Sequence, residues 1–167
     1  MNGILNMLLF LCYGWITLQD FKTREVYLIS FLLLGVLLSA KSIFVIMPDT
    51  ELIQANCAVL GIIVSMVALY YMFRYGLKFM EKLKSGIGLG DLLLVPVLVV
   101  CFSPFNFILF LILSLFVSLF FWAVSHTSNS KEATVPFAGI QTLLLNIVII
   151  MEQTGYFNSY TDLISLY

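Results

Sequence analysis

Long apolar runs separated by short polar segments dominate this chain of 167 residues. Six runs predict membrane-spanning helices, because a full span takes about 20 apolar residues. They cover residues 3–19, 26–46, 52–73, 92–103, 105–124 and 137–151. The fourth run is unusually short, and as a helix it would extend about 18 Å against a hydrocarbon core of about 30 Å. The pattern predicts an all-α, polytopic membrane helix bundle of about six transmembrane segments, forming a single domain over residues 1–167.

Composition points to lipid as the main solvent of this chain. Hydrophobic residues make up 62% of the sequence and charged residues only 10%, whereas soluble domains carry about 25% charged residues. Such a sequence cannot cover a water-facing surface of this size. The net charge of −1 says little about partners. The lipid bilayer is therefore the partner that composition predicts, and we expect no nucleic acid.

The three cysteines give no sign of a metal site or a disulfide framework. Cys12, Cys57 and Cys101 each lie alone within an apolar run, and none belongs to a CxxC pair. An isolated thiol in such a run behaves as a small hydrophobic side chain. We therefore expect buried apolar thiols and no bound metal.

The distribution of basic residues predicts which way the segments face. If every run crosses the membrane, one side carries seven basic residues, Lys22, Arg24, Arg74, Lys78, Lys82, Lys84 and Lys131, and the other carries only Lys41. Basic connections stay in the cytoplasm under the positive-inside rule. The sequence thus predicts a multi-pass protein of the cell inner membrane with both termini outside the cytoplasm. The first run has no basic start and no small-residue cleavage site, so we expect a retained span and not a signal peptide.

Two aspartates mark the cytoplasmic ends of apolar segments. Asp20 follows the first segment, and Asp91 comes directly before the fourth. A charge at the mouth of a membrane segment is costly and usually functional. Two carboxylates that share a proton can act as general base and general acid, so the pair suggests acid/base chemistry on a peptide bond. The alternative is that each aspartate caps a helix or pairs with a nearby Lys or Arg.

Glycines at alternate positions lead into the second aspartate. Gly86, Gly88 and Gly90 precede Asp91. Because glycine has no Cβ atom, the backbone there can approach another chain closely. That property suits an extended substrate lying beside Asp91. The alternatives are a flexible hinge or a helix-packing loop. A glycine-rich phosphate cradle is a weaker third option, because no strand precedes the glycines and no Gly-Lys-Ser or Gly-Lys-Thr sequence follows them.

The helix dipole predicts a division of roles between the two aspartates. Asp91 opens a helix, where the dipole favours an anion, whereas Asp20 follows the end of one, where the dipole disfavours it. We therefore predict that Asp91 is the resting base and Asp20 the proton holder. The neighbouring Lys22 and Arg24 act against this difference by stabilising charge on Asp20.

Two amide side chains interrupt the last apolar run. Gln141 and Asn146 lie inside the segment that covers residues 137–151. Amides in membrane helices usually bond to neighbouring helices, each bond contributing about 0.6–2 kcal/mol. We expect both side chains to make such interhelical hydrogen bonds.

Three motifs of this chain resemble those of the type IV prepilin peptidases. They are Asp20-Phe21-Lys22-Thr23-Arg24-Glu25-Val26, Gly88-Leu89-Gly90-Asp91 and Val135-Pro136-Phe137-Ala138-Gly139. The resemblance implies a GxGD-type aspartyl endopeptidase that cuts the basic leader from prepilin-like or pseudopilin proteins at the cytoplasmic membrane face. It implies that Asp20 and Asp91 are the catalytic pair and that no metal or organic cofactor is used. Gly88, Gly90, Pro136 and Phe137 are the residues expected to approach the substrate.

The sequence departs from the family pattern in two respects. Leu93 stands where family members usually carry Lys, two positions after the second aspartate. The N-terminal domain with paired CxxC motifs that larger members carry has no counterpart, so the chain resembles the short peptidase-only forms. A catalytically silent relative that binds pilin-like subunits and a small transporter subunit are the alternatives. The oligomeric state is not predicted.

Overall fold

A computed structural model of the protein describes residues 2–41, 43, 50–76, 89–126 and 136–160. Within these residues all regular elements are helical, which confirms the all-α part of the predicted fold class. They form α1 (Asn2–Thr23), α2 (Leu28–Lys41), α3 (Thr50–Tyr75), α4 (Leu89–Leu98), α5 (Pro104–His126) and α6 (Phe137–Gln153). Each helix corresponds to one of the six apolar runs.

Three of these helices are long and apolar enough to cross a membrane. The qualifying stretches are Gly3–Thr23, Thr50–Tyr75 and Pro104–Val124. The others are shorter, with 14 residues in α2, 10 in α4 and 17 in α6. At the rise of an α-helix, α4 extends only about 15 Å. The described residues thus form an all-helical bundle that has three candidate membrane spans by length and composition.

The core of the bundle lies where α1, α2, α4 and α6 meet. Helix α1 packs along both α2 and α6, and α4 contacts α2 and α6. Leu9, Ile16, Leu34, Leu94 and Leu98 are fully buried between them. Helix α5 packs against α6 and α3, and α3 is exposed along most of its length. This arrangement places both predicted aspartates on helices of the central group.

The helices alternate in direction between two ends of the bundle. The Asp20 end is defined by Asp20, Gly90 and Gly139, which lie close together. The Glu152 end is defined by Lys41 and Glu152, at the last residues of α2 and α6. Because consecutive helices run between these ends in opposite directions, the connectivity agrees with the alternating segments predicted from the sequence.

The turn after α4 is buried and does not reach the outside of the Glu152 end. Asn56 on α3 donates from Nδ2 to the carbonyls of Val99 (2.8 Å) and Phe102 (2.7 Å). The Ser103 N–H donates to the Ser159 carbonyl at 2.8 Å. These bonds satisfy backbone groups that a short helix would otherwise leave unpaired. The short fourth segment is therefore covered by the chain that follows α6.

A buried ion pair joins α2 to α6 at the Glu152 end. The Lys41 ammonium lies 3.1 Å from the Glu152 carboxylate, and the two side chains are 8% and 15% exposed. The Ser159 hydroxyl donates to the same carboxylate. A cavity of about 20 Å³ beside this group is large enough for one water molecule. Lys41, the one basic residue predicted for this side of the membrane, thus has Glu152 as an acidic partner.

The cysteines follow the prediction only in part. All three thiols are free, and Cys12 and Cys101 are buried, as expected. Cys57 is exposed on α3, so the prediction of a buried thiol was wrong there. An apolar run does not distinguish a helix inside the bundle from one that faces outward, and α3 faces outward.

We predict that Lys41→Met lowers the stability of the folded protein by about 3–5 kcal/mol, because it leaves the Glu152 carboxylate buried without its countercharge. The double variant Lys41→Met/Glu152→Met should recover most of that loss. Thermal unfolding in detergent measures both effects. Lys22→Met, at an exposed position, is the matched control. An unchanged midpoint for Lys41→Met would contradict a stabilising role of the pair.

Candidate functional site at the Asp20 end

Asp20 lies inside the last turn of α1. The sequence placed it after the end of this helix, but α1 continues to Thr23, so that detail was wrong. The backbone turns at Arg24, which has a positive φ of 57°. Its N–H donates to the Asp20 carbonyl at 3.1 Å. This bond satisfies a carbonyl of the last turn and lets the helix extend past Asp20.

The Asp20 carboxylate caps the N-terminus of another helix. Its Oδ2 atom accepts a hydrogen bond from the Gly139 N–H at 2.6 Å, and the side chain is only 7% exposed. Gly139 is the third residue of α6, and the first N–H groups of a helix have no partner within it. Pro136, at the N-cap position, makes no side-chain cap. Asp20 therefore supplies from α1 the acceptor that α6 lacks.

Gly139 allows this close approach because it has no side chain. A Cβ atom there would lie 3.0 Å from Asp20 Oδ2 and 3.0 Å from Phe21 Cδ2. Both separations are shorter than normal van der Waals contact, so either helix would have to move. The glycine in the third motif is thus required by the carboxylate in the first.

Further polar contacts continue down the same interface between α1 and α6. The hydroxyls of Thr17 and Thr142 are 2.9 Å apart. In the orientation that satisfies both of its groups, the Asn146 amide donates to the Phe10 carbonyl (3.1 Å) and accepts from the Gly14 N–H (3.3 Å). Asp20, Thr17 and Gly14 on α1 therefore meet Gly139, Thr142 and Asn146 on α6. This set of contacts is called the α1–α6 polar ladder below.

The expected interhelical roles of the two amides in α6 are confirmed. Asn146 belongs to the α1–α6 polar ladder. Gln141 is fully buried and donates from Nε2 to the Ser114 hydroxyl on α5 at 3.4 Å. The two amides therefore bond α6 to helices on two of its sides.

The second aspartate belongs to the first turn of α4, at the same end of the bundle. Gly90 directly precedes it, and a Cβ atom on Gly90 would lie 3.5 Å from Phe31 Cζ and 3.9 Å from Ala138 Cβ. Ala138 is the residue before Gly139. The backbone leading into Asp91 thus lies beside the segment that bonds Asp20. The structure describes Asp91 by its place in the helix, while Gly88 lies outside the described residues.

The other predicted site residues differ in how much surface they offer. Pro136 is buried, and its carbonyl accepts the N–H of Ile140 at 3.0 Å. Phe137 is half-buried. Leu93, two positions after Asp91, is 39% exposed on α4. Of the Pro-Phe pair, Phe137 therefore offers the larger surface to a molecule at this end.

A glutamine next to Asp20 was missed by the sequence analysis. Gln19 is 9% exposed, and its Oε1 atom accepts from the Ser30 hydroxyl at 3.1 Å and from the Tyr27 N–H at 3.4 Å. Thr23 donates from its hydroxyl to the Gln19 carbonyl at 2.8 Å. The sequence gives one indication of such a role, because Gln19 and Asp20 are consecutive polar residues at the end of an apolar run.

One end of the bundle holds the buried Asp20 carboxylate and the Gly139 N–H that donates to it. The first turn of α4, which contains Asp91, lies at the same end. Within the part of the chain that the structure describes, no group of three or more His, Cys, Asp or Glu side chains is placed to hold a metal ion. Comparisons of the chain with protein-family models, with curated proteins and with solved structures found no match. The motifs and this geometry are therefore the basis for a functional assignment.

We predict that Gly139→Ala destabilises the protein by about 1–3 kcal/mol, because its methyl group would overpack the contact with Asp20 and Phe21. Gly35→Ala is the matched control, since a Cβ atom at that helical glycine has no neighbour within 4 Å. It should raise stability by up to about 1 kcal/mol through helix propensity. Thermal unfolding of the two variants in the same detergent compares them. Equal effects would contradict the close approach of α1 and α6.

Proposed function

We propose that this chain is a membrane aspartyl endopeptidase of the prepilin peptidase type, with Asp20 and Asp91 as its catalytic pair. The observation that carries the proposal is the bond between Asp20 and Gly139, at the same end as Gly90. It brings parts of three motifs together that are far apart in the sequence. The substrate we propose is the leader-bearing N-terminal helix of a prepilin-like or pseudopilin protein.

The reaction follows from two carboxyl groups in different protonation states. One, as the carboxylate, takes a proton from water while the water oxygen attacks the scissile carbonyl carbon. The other, as the acid, donates a proton to the carbonyl oxygen, which gives a gem-diol. When the C–N bond breaks, the first carboxyl group gives its proton to the departing amine nitrogen, and the second regains one from a gem-diol hydroxyl, so both return to their starting states. Water is the nucleophile, so the mechanism uses no cofactor.

The assignment of base and acid stays a prediction. Asp91 lies in the first turn of α4 and Asp20 in the last turn of α1, as the dipole argument requires. Burial and the Gly139 N–H have opposite effects on the balance between the neutral and the ionised form of the Asp20 carboxyl group. Burial favours its neutral acid, whereas a donor at a helix N-terminus favours its carboxylate.

We propose further that the Asp20 end faces the cytoplasm from the cell inner membrane and that both termini lie outside. Lys22, Arg24 and Arg74 are exposed, and the direction of α1 and α3 puts them at the Asp20 end. Lys41, the basic residue assigned to the opposite side, has its charge balanced by Glu152. The ion pair therefore leaves the bias of basic residues toward the Asp20 end intact.

A catalytically silent relative that binds pilin-like subunits is the second candidate. Leu93 favours it, because an exposed apolar side chain stands near Asp91 where the family usually has an amine. A silent relative would retain affinity for the leader-bearing helix but release no leader. The same assay therefore separates the two candidates.

We predict that the purified protein releases the leader from a prepilin-like substrate and that Asp20→Asn and Asp91→Asn each lower the rate by about 100- to 10,000-fold. Mass spectrometry of the released leader measures the cleavage. Glu51→Gln, at the start of α3 and away from Asp20, is the control that should cleave at the parent rate. Cleavage at the parent rate by both Asn variants would exclude the two-carboxylate mechanism. Binding of the substrate without cleavage by the parent would favour the silent relative.

We predict that a membrane-impermeant maleimide labels Glu25→Cys only from the cytoplasmic side and Tyr156→Cys only from the outer side. Both positions are exposed, near the Asp20 end and the Glu152 end respectively. The variants are made in a background in which the three native cysteines are replaced by Ala. Labelling of intact spheroplasts against inverted vesicles measures the sidedness. The reverse pattern would contradict the proposed orientation.

A further inference from the structure

Two consecutive residues of α1 hold two different helices. Asp20 bonds α6 through the Gly139 N–H at 2.6 Å. Gln19 bonds the start of α2 through the Ser30 hydroxyl (3.1 Å) and the Tyr27 N–H (3.4 Å). Neighbouring residues of a helix point in different directions, so one turn of α1 fixes a helix on each of two sides.

The Gln19 contacts lie in an apolar interior. Gln19 is 9% exposed and Ser30 only 4%. A buried hydroxyl that loses its acceptor destabilises the folded protein, because no hydrogen bond then offsets its desolvation. The Gln19 amide therefore constrains where the first turn of α2 can lie.

The same turn of α2 supplies a side chain that lies against Gly90. Phe31 follows Ser30 and is 6% exposed, and its ring lies against Gly90 on one side. Ala138 of α6 lies against Gly90 as well. The backbone leading into Asp91 thus has α2 and α6 as neighbours. Gln19 holds the first of these helices and Asp20 holds the second.

We propose that Gln19 is a positioning residue, which sets the place of the Asp91 end of α4 relative to Asp20 by holding α2 and its Phe31 against Gly90. The inference rests on the proposed function, because the two aspartates it positions are the proposed catalytic pair. Gln19 itself touches no reacting atom in this role. It acts through Ser30 and Phe31 on the backbone of α4.

A disulfide between Gly90→Cys and Ala138→Cys reports on this position without any substrate. The ideal Cβ of residue 90 lies 3.9 Å from that of Ala138, which is within the range that disulfides span. In the background without native cysteines, we expect this pair to cross-link rapidly on mild oxidation. Adding Gln19→Leu or Ser30→Ala should slow the cross-linking by about tenfold, as loss of one buried hydrogen bond would predict.

Matched serine variants separate this role from a general loss of packing. Ser30→Thr keeps the hydroxyl and should cross-link at the parent rate. Ser39→Ala removes a serine from the same helix whose hydroxyl bonds only its own backbone, at Gly35, and it should also leave the rate unchanged. If Gln19→Leu fails to fold, Ser30→Ala removes the same bond from the other partner. Equal cross-linking rates in Ser30→Ala and the parent would overturn the proposal.

Cleavage kinetics give a second readout in a chain that cuts a prepilin-like substrate. We expect Ser30→Ala to lower kcat by about ten- to a hundredfold with little change in KM, since a displacement of about 1 Å in a catalytic group has an effect of this size. Ser30→Thr should restore kcat. A rise in KM alone would contradict positioning of the catalytic pair. Slower cross-linking in a chain that cuts no substrate would uphold the placement of α4 while the peptidase assignment failed.

Discussion

The structure depends most on one hydrogen bond, between the Asp20 carboxylate and the Gly139 N–H. It joins the last turn of α1 to the first turn of α6 across a buried interface. Pro136 precedes helix α6 at the N-cap position and makes no side-chain cap, so the free N–H groups of the helix need an acceptor from elsewhere. An anion in this position also interacts favourably with the helix dipole. The fold and the candidate site therefore share the same atom pair.

The α1–α6 polar ladder shows how helices associate when lipid removes the usual hydrophobic drive. Small residues let the helices approach, and hydrogen bonds between side chains and backbone hold them. Gly139 and Gly14 supply the close approach, and Thr142 and Asn146 supply the bonds. The ion pair of Lys41 closes the opposite end. The central helices are thereby fixed at both ends, and α3, which lacks such a ladder, stays largely exposed.

The sequence predicted the helices and that Asp20 and the start of α4 lie at one end of the bundle, because apolar runs and boundary charges are local features. It did not predict the partners. Nothing beside Gln19 in the sequence indicates Ser30, and nothing beside Lys41 indicates Glu152, since both pairs form only when helices pack. The sequence predicted that α1 ends before Asp20, because the apolar run stops there. In the structure the helix ends at Thr23, where the positive φ of Arg24 turns the backbone. Features that depend on a single helix could be predicted from the sequence, whereas contacts between two helices could not.

The capping role of Asp20 fixes its position, which conflicts at first sight with a role in acid/base chemistry. The conflict disappears when the two carboxylate oxygens are considered separately. A carboxylate offers about four lone-pair sites, and the Gly139 N–H engages Oδ2. The Oδ1 atom is left to accept a hydrogen bond from water or, when it carries the proton, to donate one to the scissile carbonyl of the proposed substrate. Fixing one oxygen also orients the other, and orientation is a large part of catalytic advantage. The capping of α6 by Asp20 is therefore compatible with the acid/base role proposed for the same carboxylate, and it orients that carboxylate.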